Sequence, residues 1–318
     1  MLTIYSSGSK LPQVWQPGAG VPRSAIWIDM IEPSEDERQQ AAVLLGTRLP
    51  TRDQTSAIEL SSRFRSSETV LRLNIPSFVR THGTKGLMTP LGFVVTPEML
   101  ATVRYADSLS FDQVAAMIAS ADAPQSAIDV FIALMESIVD VGADRLESLG
   151  NDLSTLSEEV FAELRSERNL LRNALLQVGA MQRQVNQIRA AMLGASRVTT
   201  FMCDTAPKWI ESDLHGQFRS IQADLGSLSE FQQQLSDRLQ FMLDAVLGLI
   251  NNDQNDIMKV LTIVSVVTVP PMILAGIWGM NFKSIPEYNW PHGYAFGLTM
   301  IVLSMVLPLI FFKIKKWL

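Results

Sequence analysis

The sequence has little of what metal-dependent and redox enzymes are built from. Its 318 residues include one cysteine, Cys203, and three scattered histidines, His82, His215 and His292. A single cysteine excludes a disulfide within the chain, and the spacing of the histidines predicts no Cys/His metal cluster. No glycine-rich loop ends in Gly-Lys-Ser or Gly-Lys-Thr, so nucleotide-driven pumping is not indicated either. These absences argue against an enzyme and suit a reducing compartment.

Excess positive charge is lacking as well. The chain has 26 lysines and arginines against 32 aspartates and glutamates, a formal net charge of −6. A nucleic-acid partner is therefore not expected. Residues 1–20 have neither a basic start nor an apolar run, so they do not predict a signal peptide. We expect the membrane-targeting signal to be an apolar span further along the chain.

Two stretches near the end of the sequence are almost free of charge. Residues 260–277 are all apolar or small apart from three hydroxyl side chains, and residues 294–312 carry no charge. A helix needs roughly 20 such residues to cross a bilayer. The sequence predicts transmembrane helices over 258–279 and 294–312, joined by a polar loop over 280–293. A pair of buried core helices is the alternative, but core helices normally carry a polar stripe.

The charges beside the spans predict their orientation. Three lysines follow the second span in the tail formed by residues 313–318: Lys313, Lys315 and Lys316. The loop between the spans carries Lys283 and Glu287. Since positive charge collects on the cytoplasmic side, we expect the tail in the cytoplasm. Two crossings then place the N-terminal part there as well.

Residues 1–123 alternate between strand and helix patterns. Ser34 and Glu37 predict the capped start of a helix that Gly46 ends, and 111–121 predicts a second, short helix. Short β-rich runs predict strands over 24–30, 70–79 and 91–96. Strands that alternate with helices indicate an α/β arrangement. We expect an α+β cytoplasmic domain built as an α/β/α sandwich.

The following residues are helical in pattern. Residues 124–217 predict a helical region with two long antiparallel helices. Residues 218–257 predict a stalk helix that continues into the first span, and the stalk and span together would be about 90 Å long. The stalk has apolar residues at alternating spacings of three and four, interrupted by one glutamine: Phe218, Ile221, Leu225, Leu228, Gln232, Leu235, Leu239, Met242, Val246 and Leu249. Such a seam either joins chains in a coiled coil or packs within its own chain.

One face of the first span is apolar between polar ends. It starts at an asparagine and ends near Asn281: Asn255, Met258, Leu261, Ser265, Val269, Met272 and Gly276. Two membrane helices cannot enclose a pore, so a conduit requires several chains that each contribute this face. Amide groups bind the hydration shell of a dication without stripping it, and apolar rings stop ions by dewetting. Packing of the same residues against lipid or neighbouring helices is the alternative.

The C-terminal residues resemble a known family. Gly279-Met280-Asn281 follows the run "NDIMKVLTIVSVVTVPPMILAGIW" and precedes "FKSIPEYNWPHGY" and the tail "FFKIKKWL". This pattern, over about 252–318, resembles the CorA family, the two-span divalent-cation channels with a Gly-Met-Asn motif. The resemblance implies a funnel-shaped homopentamer in the bacterial inner membrane, in which the stalk helices continue as the pore and the second spans form an outer ring.

The resemblance also implies residue roles. Gly279, Met280 and Asn281 would form the selectivity filter, with the hydrated ion at Asn281, and the seven residues of the apolar face would line the pore. Mg²⁺, and also Co²⁺ and Ni²⁺, would be the substrates, with no catalytic cofactor. Cytoplasmic Mg²⁺ would hold the pore shut, and Asp224 is the candidate regulatory ligand. Lys283 stands where many members have an acidic residue.

Two other functions stay open at this point. One is a Zn²⁺ transporter of the related ZntB type, whose loops typically lose the methionine that this chain keeps as Met280. The other is a membrane-anchored structural or signalling protein that conducts nothing.

Overall fold

The chain forms two compact units. The structure, a computed structural model, describes residues 1–8, 11–15, 21–22, 24–55, 64–78, 88–120, 123–162, 168–205, 207, 209–210, 214–281 and 285–317. The first unit comprises residues 1–165 and 173–242, and the second comprises residues 166–172 and 243–318.

The first unit contains a mixed β-sheet. Its described strands are β1 (Leu2–Ser6), β2 (Gln13–Val14), β3 (Ala25–Ile31), β4 (Phe64–Ser66), β5 (Leu71–Phe78), β6 (Met88–Val95) and β7 (Leu100–Arg104). They lie in the order β2-β1-β3-β7-β6-β5-β4. Strands β3 and β7 pair in parallel, and the other described neighbours are antiparallel.

Helices make up most of the remaining chain. They are α1 (Glu35–Leu44), α2 (Arg52–Thr55), α3 (Leu109–Ile118), α4 (Ala127–Ala162), α5 (Arg168–Thr205), α6 (Leu214–Trp278) and α7 (Gly293–Ile314), with a 3₁₀ turn at Pro286–Asn289. The predicted cap of α1 is confirmed, because Glu37 N donates to Ser34 Oγ at 3.2 Å and Ser34 N donates to Glu37 Oε2 at 2.9 Å. Gly46 follows the helix with a φ of +62°, as a helix stop requires.

Helices cover the sheet on both faces. On one face Ile28 and Met30 of β3 pack in a buried cluster with Ala41 of α1. On the other face Trp27 of β3 lies 5.9 Å from Phe111 of α3 between ring centroids. Successive residues of a strand point to opposite faces, which is why one strand serves both layers. The α/β/α sandwich is confirmed.

A buried ion pair joins the two parallel strands. Arg104 of β7 reaches Asp29 of β3 with Nη2–Oδ2 at 2.7 Å, and their side chains are 8% and 2% exposed. Thr102 Oγ1 donates to Asp29 Oδ1 at 2.7 Å and accepts from Trp27 Nε1 at 3.0 Å. Each polar group in this network therefore has a partner, as burial requires.

The stalk seam packs inside its own chain over residues 218–242. Phe218 lies 6.2 Å from Phe131 of α4 between ring centroids. Arg238 Nη2 donates to Ser154 Oγ of α4 at 3.1 Å, and Gln222 Nε2 donates to Thr200 Oγ1 of α5 at 3.2 Å. All the seam positions of this stretch are buried except the half-buried Leu228. Of the two alternatives that the spacing left open, the structure shows packing within the chain.

The observed boundaries differ from the predicted segments in two places. Helix α6 begins at Leu214 rather than at 218 and runs unbroken through both prolines to Trp278. The predicted boundary at residue 123 falls inside the first unit, because α4 packs on α3 and on strands β3, β6 and β7. The sheet and the stretch before the stalk thus share one core.

Candidate pore face and outer loop

The Gly-Met-Asn tripeptide lies at the C-terminal end of α6. Gly279 N donates to Ala275 O at 2.9 Å, and Met280 N donates to Ile277 O at 3.3 Å. The hydrogen bonds tighten from an i→i−4 to an i→i−3 spacing, as is common in the last turn of a helix. Asn281 follows directly and is exposed, and its side chain makes no hydrogen bond with the described residues. Its amide is therefore free to bind a ligand.

The seven predicted lining residues share one exposed face of α6. The apolar members Met258, Leu261, Val269 and Met272 are 53%, 57%, 42% and 66% exposed. Asn255, Ser265 and Gly276 are exposed as well. Ser265 Oγ donates to Leu261 O at 2.8 Å, so the hydroxyl is bonded to its own helix. This face carries no charged side chain.

The opposite face of α6 packs against the second span. Half-buried residues recur there at spacings of three and four: Ile263, Val267, Pro270, Leu274 and Trp278. At the end of this face Trp278 lies 6.4 Å from Phe296 of α7 between ring centroids. Residues two apart, such as Ser265 and Val267, lie on nearly opposite sides of an α-helix. The predicted lining face therefore points away from α7.

A compact turn connects the two spans. Trp290 N donates to Glu287 O at 3.3 Å, and Gly293 N donates to Trp290 O at 3.1 Å. A side chain at Gly293 would overlap the Glu287 carbonyl oxygen, so only glycine fits there. Trp290 also lies 5.4 Å from Phe296 between ring centroids. Glu287 is half-buried in this turn, and Lys283 lies outside the described residues.

Asp224 lies beside a row of carboxylates on α4. Burial raises the pKa of Glu136, with Asp140 and Asp224 adding to the shift. Burial likewise raises the pKa of Asp140, with additional contributions from Asp144 and Asp224. Among the described residues, no three His, Cys, Asp or Glu side chains converge closely enough to hold a metal ion. Asp224 thus has acidic neighbours, but the described residues of one chain give it no complete ligand set.

Both C-terminal helices have the character of membrane spans. Each of α6 and α7 contains an 18-residue stretch of high mean hydropathy, and only 6% of either stretch is buried within the chain. A family model described as CorA-like Mg²⁺ transporter protein matches residues 23–316. The chain belongs to the CorA-like Mg²⁺ transporter family. Membership makes it a membrane protein with two C-terminal transmembrane helices, in a family of transporters rather than of enzymes.

Individual relatives agree with the family match. A magnesium transport protein CorA of Yersinia pseudotuberculosis is 27% identical over 297 residues, which cover 93% of this chain and 92% of the relative. One from Sodalis glossinidius is 29% identical over 299 residues and covers 92% of each chain. The complete structure of the CorA magnesium transporter from Methanocaldococcus jannaschii superposes with a TM-score of 0.77 at 17% identity, covering 100% of this chain and 99% of that one.

A zinc-transporter relative is more distant. The cytoplasmic domain of ZntB from Vibrio parahaemolyticus has a TM-score of 0.58 at 12% identity, covering 79% of this chain and 98% of that one. At that identity the likeness concerns the fold alone. The ZntB alternative is therefore not favoured for this member of the CorA-like family.

The acidic row gives a prediction for this CorA-like chain. Asp140 forms i,i+4 carboxylate pairs with Glu136 and with Asp144, and each such pair destabilises a helix by about 0.2–0.5 kcal/mol. Asp140→Asn removes the repulsion in both pairs. Because the folded-state pKa of Asp140 is raised, protonation favours the folded state as pH falls through that pKa. The variant should melt at a higher temperature than wild type at pH 7, and the gain should vanish near about pH 4. Thermal melting at both pH values checks this, with Asp152→Asn on the same helix as control; an equal gain at both pH values contradicts it.

Sequence reasoning missed the residues that hold the two spans together. Phe296 and Gly297 contact Trp278, and a Cβ at Gly297 would lie 3.5 Å from the indole ring. The inward residues of α7 recur at spacings of three and four, from Gly297 through Ile301, Ser304, Pro308 and Phe312. A uniformly apolar helix hides such a face, and only the small residues signal it. The row of Glu136, Asp140 and Asp144 had a visible signal in its four-residue spacing.

Proposed function

We propose that the chain is a divalent-cation channel that carries Mg²⁺, and also Co²⁺ and Ni²⁺, across the bacterial inner membrane down the electrochemical gradient. The observation that carries the proposal is the uncharged face of α6, exposed along its length and followed directly by the free amide of Asn281. An uncharged passage with an amide at its mouth suits an ion that keeps its water. Mg²⁺ is such an ion, because it dehydrates reluctantly.

The proposal requires a homopentamer. One chain supplies two spans, and the face of α6 that points away from α7 has no partner among the described residues. Five copies of this face would enclose a passage, with the α7 helices outside it. The stalk seam does not supply the contacts between chains over residues 218–242, since it is buried within the chain. The assembly must therefore use other faces of α6.

The filter would act by hydrogen bonding to the hydration shell. A ring of Asn281 amides offers both carbonyl acceptors and NH₂ donors, so it can bind water molecules around the ion. A ring of carboxylates would bind the dication more tightly and slow its release. Gly279 and Met280 would position that ring at the end of the helix. Met258, Leu261 and Met272 would form apolar constrictions that close by dewetting.

The membrane potential would drive entry. Moving one charge through 100 mV is worth about 2.3 kcal/mol, so a dication gains about twice that amount. This holds if the tail of Lys313, Lys315 and Lys316 lies in the cytoplasm, where the positive-inside rule puts it. Both termini would then be cytoplasmic and the Gly-Met-Asn loop would face outward. The ion would therefore enter at the Gly-Met-Asn loop, on the outer side, and the membrane potential would pull it inward.

Regulation by cytoplasmic Mg²⁺ is part of the proposal. Asp224 is exposed on α6 and electrostatically coupled to Glu136 and Asp140. A cation bound beside neighbouring carboxylates stabilises their charged forms. Since one chain holds no complete ligand set in its described part, a neighbouring chain would supply the remaining oxygens. Mg²⁺ bound there would hold the closed arrangement together.

Flux through the purified protein tests the function. Detergent-solubilised protein should have the mass of five chains, and the same preparation in liposomes should take up Mg²⁺ when the interior is negative. Uptake should rise with the imposed potential and fall when Mg²⁺ is present on the cytoplasmic side. Empty liposomes and liposomes at zero potential are the controls.

The set of ions that the liposomes take up distinguishes the competing functions. Uptake of Mg²⁺, Co²⁺ and Ni²⁺ supports the proposal, whereas uptake of Zn²⁺ without Mg²⁺ would assign the chain to zinc transport. No uptake of any of these ions would leave a structural or signalling protein. A monomeric or dimeric particle would contradict the pore assembly even if some flux were seen.

A further inference from the structure

A cavity of about 850 Å³ lies in the first unit. It is formed by α1, by the segment of residues 48–54 that leads into α2, and by strands β4 and β5. Sites for small organic ligands typically measure about 300–1,000 Å³. The cavity is thus large enough for a nucleotide-sized molecule, and its lining residues are not among the predicted pore-lining residues.

The cavity is positively charged in a negatively charged chain. Its lining carries four arginines, Arg38, Arg48, Arg65 and Arg72, against two carboxylates. Arg38 pairs with Glu35. Within the described part of the chain, the other three arginines make no ion pair. A chain with a formal net charge of −6 therefore concentrates unpaired cations in one concave place.

Two of these arginines are placed unfavourably for stability. Arg65 of β4 and Arg72 of β5 are register partners on adjacent antiparallel strands. Side chains in that position have Cβ atoms about 4.5–5.5 Å apart, and like charges directly opposite one another are destabilising. An anion bound between them would turn this repulsion into attraction. The register of the strands is thus independent support for a negatively charged ligand.

Two polar side-chain atoms beside the cavity have no hydrogen-bond partner in the described part of the chain. Asn74 is 5% exposed, and its Nδ2 donates to Gln54 O at 3.4 Å. Among the described residues, Asn74 Oδ1 and Arg72 Nε find no hydrogen-bond partner, although Arg72 Nη2 donates to Thr47 Oγ1. Burying a polar atom without a partner is unfavourable, because the atom loses its hydrogen bonds to water. Both atoms are closed to solvent, so a ligand would reach them only if the side chains of Asn74 and Arg72 turned toward the cavity.

We propose that this cavity binds an organic phosphate of nucleotide size. Guanidinium groups bind phosphate oxygens through short, charge-assisted hydrogen bonds, often two at a time. Arg65 and Arg72 would hold the phosphate, and Arg48 at the rim would add a third cation. Asn74, which also lines the cavity, would lie beside the organic part. The proposal does not depend on ion transport, since none of the lining residues belongs to the pore face.

Binding of ADP to the full-length protein tests the proposal. ADP should bind the detergent-solubilised protein in Mg²⁺-free buffer, measured by titration calorimetry, and should raise the melting temperature. Arg65→Gln and Arg72→Gln should each weaken binding by about tenfold, since each removes one charge-assisted contact. Arg219→Gln, which removes an exposed arginine of α6 outside the cavity, is the matched control and should leave binding unchanged.

A second measurement distinguishes a ligand site from a general loss of folding. Without ADP, Arg65→Gln should raise the melting temperature, because it relieves the repulsion from Arg72. With ADP the order should reverse, since wild type alone keeps full binding. If Arg72→Gln does not fold, Arg48→Gln takes its place in the binding series. Absence of binding at millimolar ADP, or an equal loss in Arg219→Gln, would overturn the proposal, and inorganic phosphate that binds as tightly as ADP would overturn the organic part.

Discussion

Asn281→Ala should abolish Mg²⁺ selectivity or transport in the reconstituted protein. The substitution removes the exposed amide that follows the last turn of α6 without touching any hydrogen bond of that turn. In the proposed pentamer, five amides are lost at once. If each contributes about 0.5–1.5 kcal/mol to binding the hydrated ion, the combined loss amounts to about two to five powers of ten in affinity. Uptake of Mg²⁺ into liposomes, measured beside wild type at equal protein content, gives the result.

A matched asparagine in the same loop provides the control. Asn289 is exposed at the end of the 3₁₀ turn, and Asn289→Ala should keep nearly wild-type uptake. Asn281→Asp should bind the dication more tightly and release it more slowly, so flux should saturate at lower Mg²⁺ concentration. Wild-type selectivity in Asn281→Ala would remove Asn281 from the filter, whatever the other variants do. A five-chain mass of each variant shows that assembly is intact.

Local signals in the sequence were sufficient for several elements. The capped start of α1 needs only Ser34, Glu37 and Gly46, and these residues behave as predicted. The two spans need only their length and the absence of charge, and the helices Leu214–Trp278 and Gly293–Ile314 cover them except for Gly279. Strands β3, β5 and β6 were predicted within a few residues of their bounds. These features depend on neighbours in the chain, which a sequence displays directly.

Features that depend on distant partners were not predictable in the same way. Strand β7 follows β6 closely yet pairs with β3 in parallel, far back in the chain. Strand β1 has only five residues, and it is recognisable as a strand because it pairs with β3 and β2. The stalk seam is the clearest case, because Phe218 would show the same spacing whether its partner were another chain or Phe131 of its own. Periodicity shows that a face is buried and does not show what buries it.

The candidate site divides along the same line. The lining face was predicted because Asn255 and Ser265 interrupt the apolar residues on one side of α6, a signal that the sequence displays directly. The neighbours of Asp224 could not, because Glu136 and Asp140 lie on another helix that approaches only in the folded chain. The contact of Trp278 with Phe296 likewise joins two apolar helices with no polar signal. The roles of the lining residues and of Asp224 stay predictions until flux is measured.

The largest expected loss of stability comes from Arg104→Ala. The substitution leaves Asp29, whose side chain is 2% exposed, without the guanidinium that approaches its carboxylate through Nε at 3.1 Å and through Nη2 at 2.7 Å. Breaking one partner out of a buried ion pair typically costs about 3–5 kcal/mol. It also removes the guanidinium carbon from its position 4.7 Å from the centre of the Phe111 ring. Urea unfolding of the purified protein, followed by tryptophan fluorescence, should show the loss, whereas Arg189→Ala at an exposed site of α5 should change little.

Replacing both partners tests whether the loss comes from a stranded charge or from packing. Asp29→Leu keeps nearly the same shape, and Arg104→Met keeps an extended apolar chain beside Phe111. The hydroxyl of Thr102 still accepts from Trp27 Nε1 and can donate to Ile28 O, which is already 3.4 Å away. The double variant should therefore recover most of the stability that Arg104→Ala loses, because a buried ion pair contributes little beyond an apolar pair of the same volume. If the double variant is as unstable as Arg104→Ala, the ion pair itself holds β3 against β7. It then stabilises the fold more than an apolar pair of similar volume does.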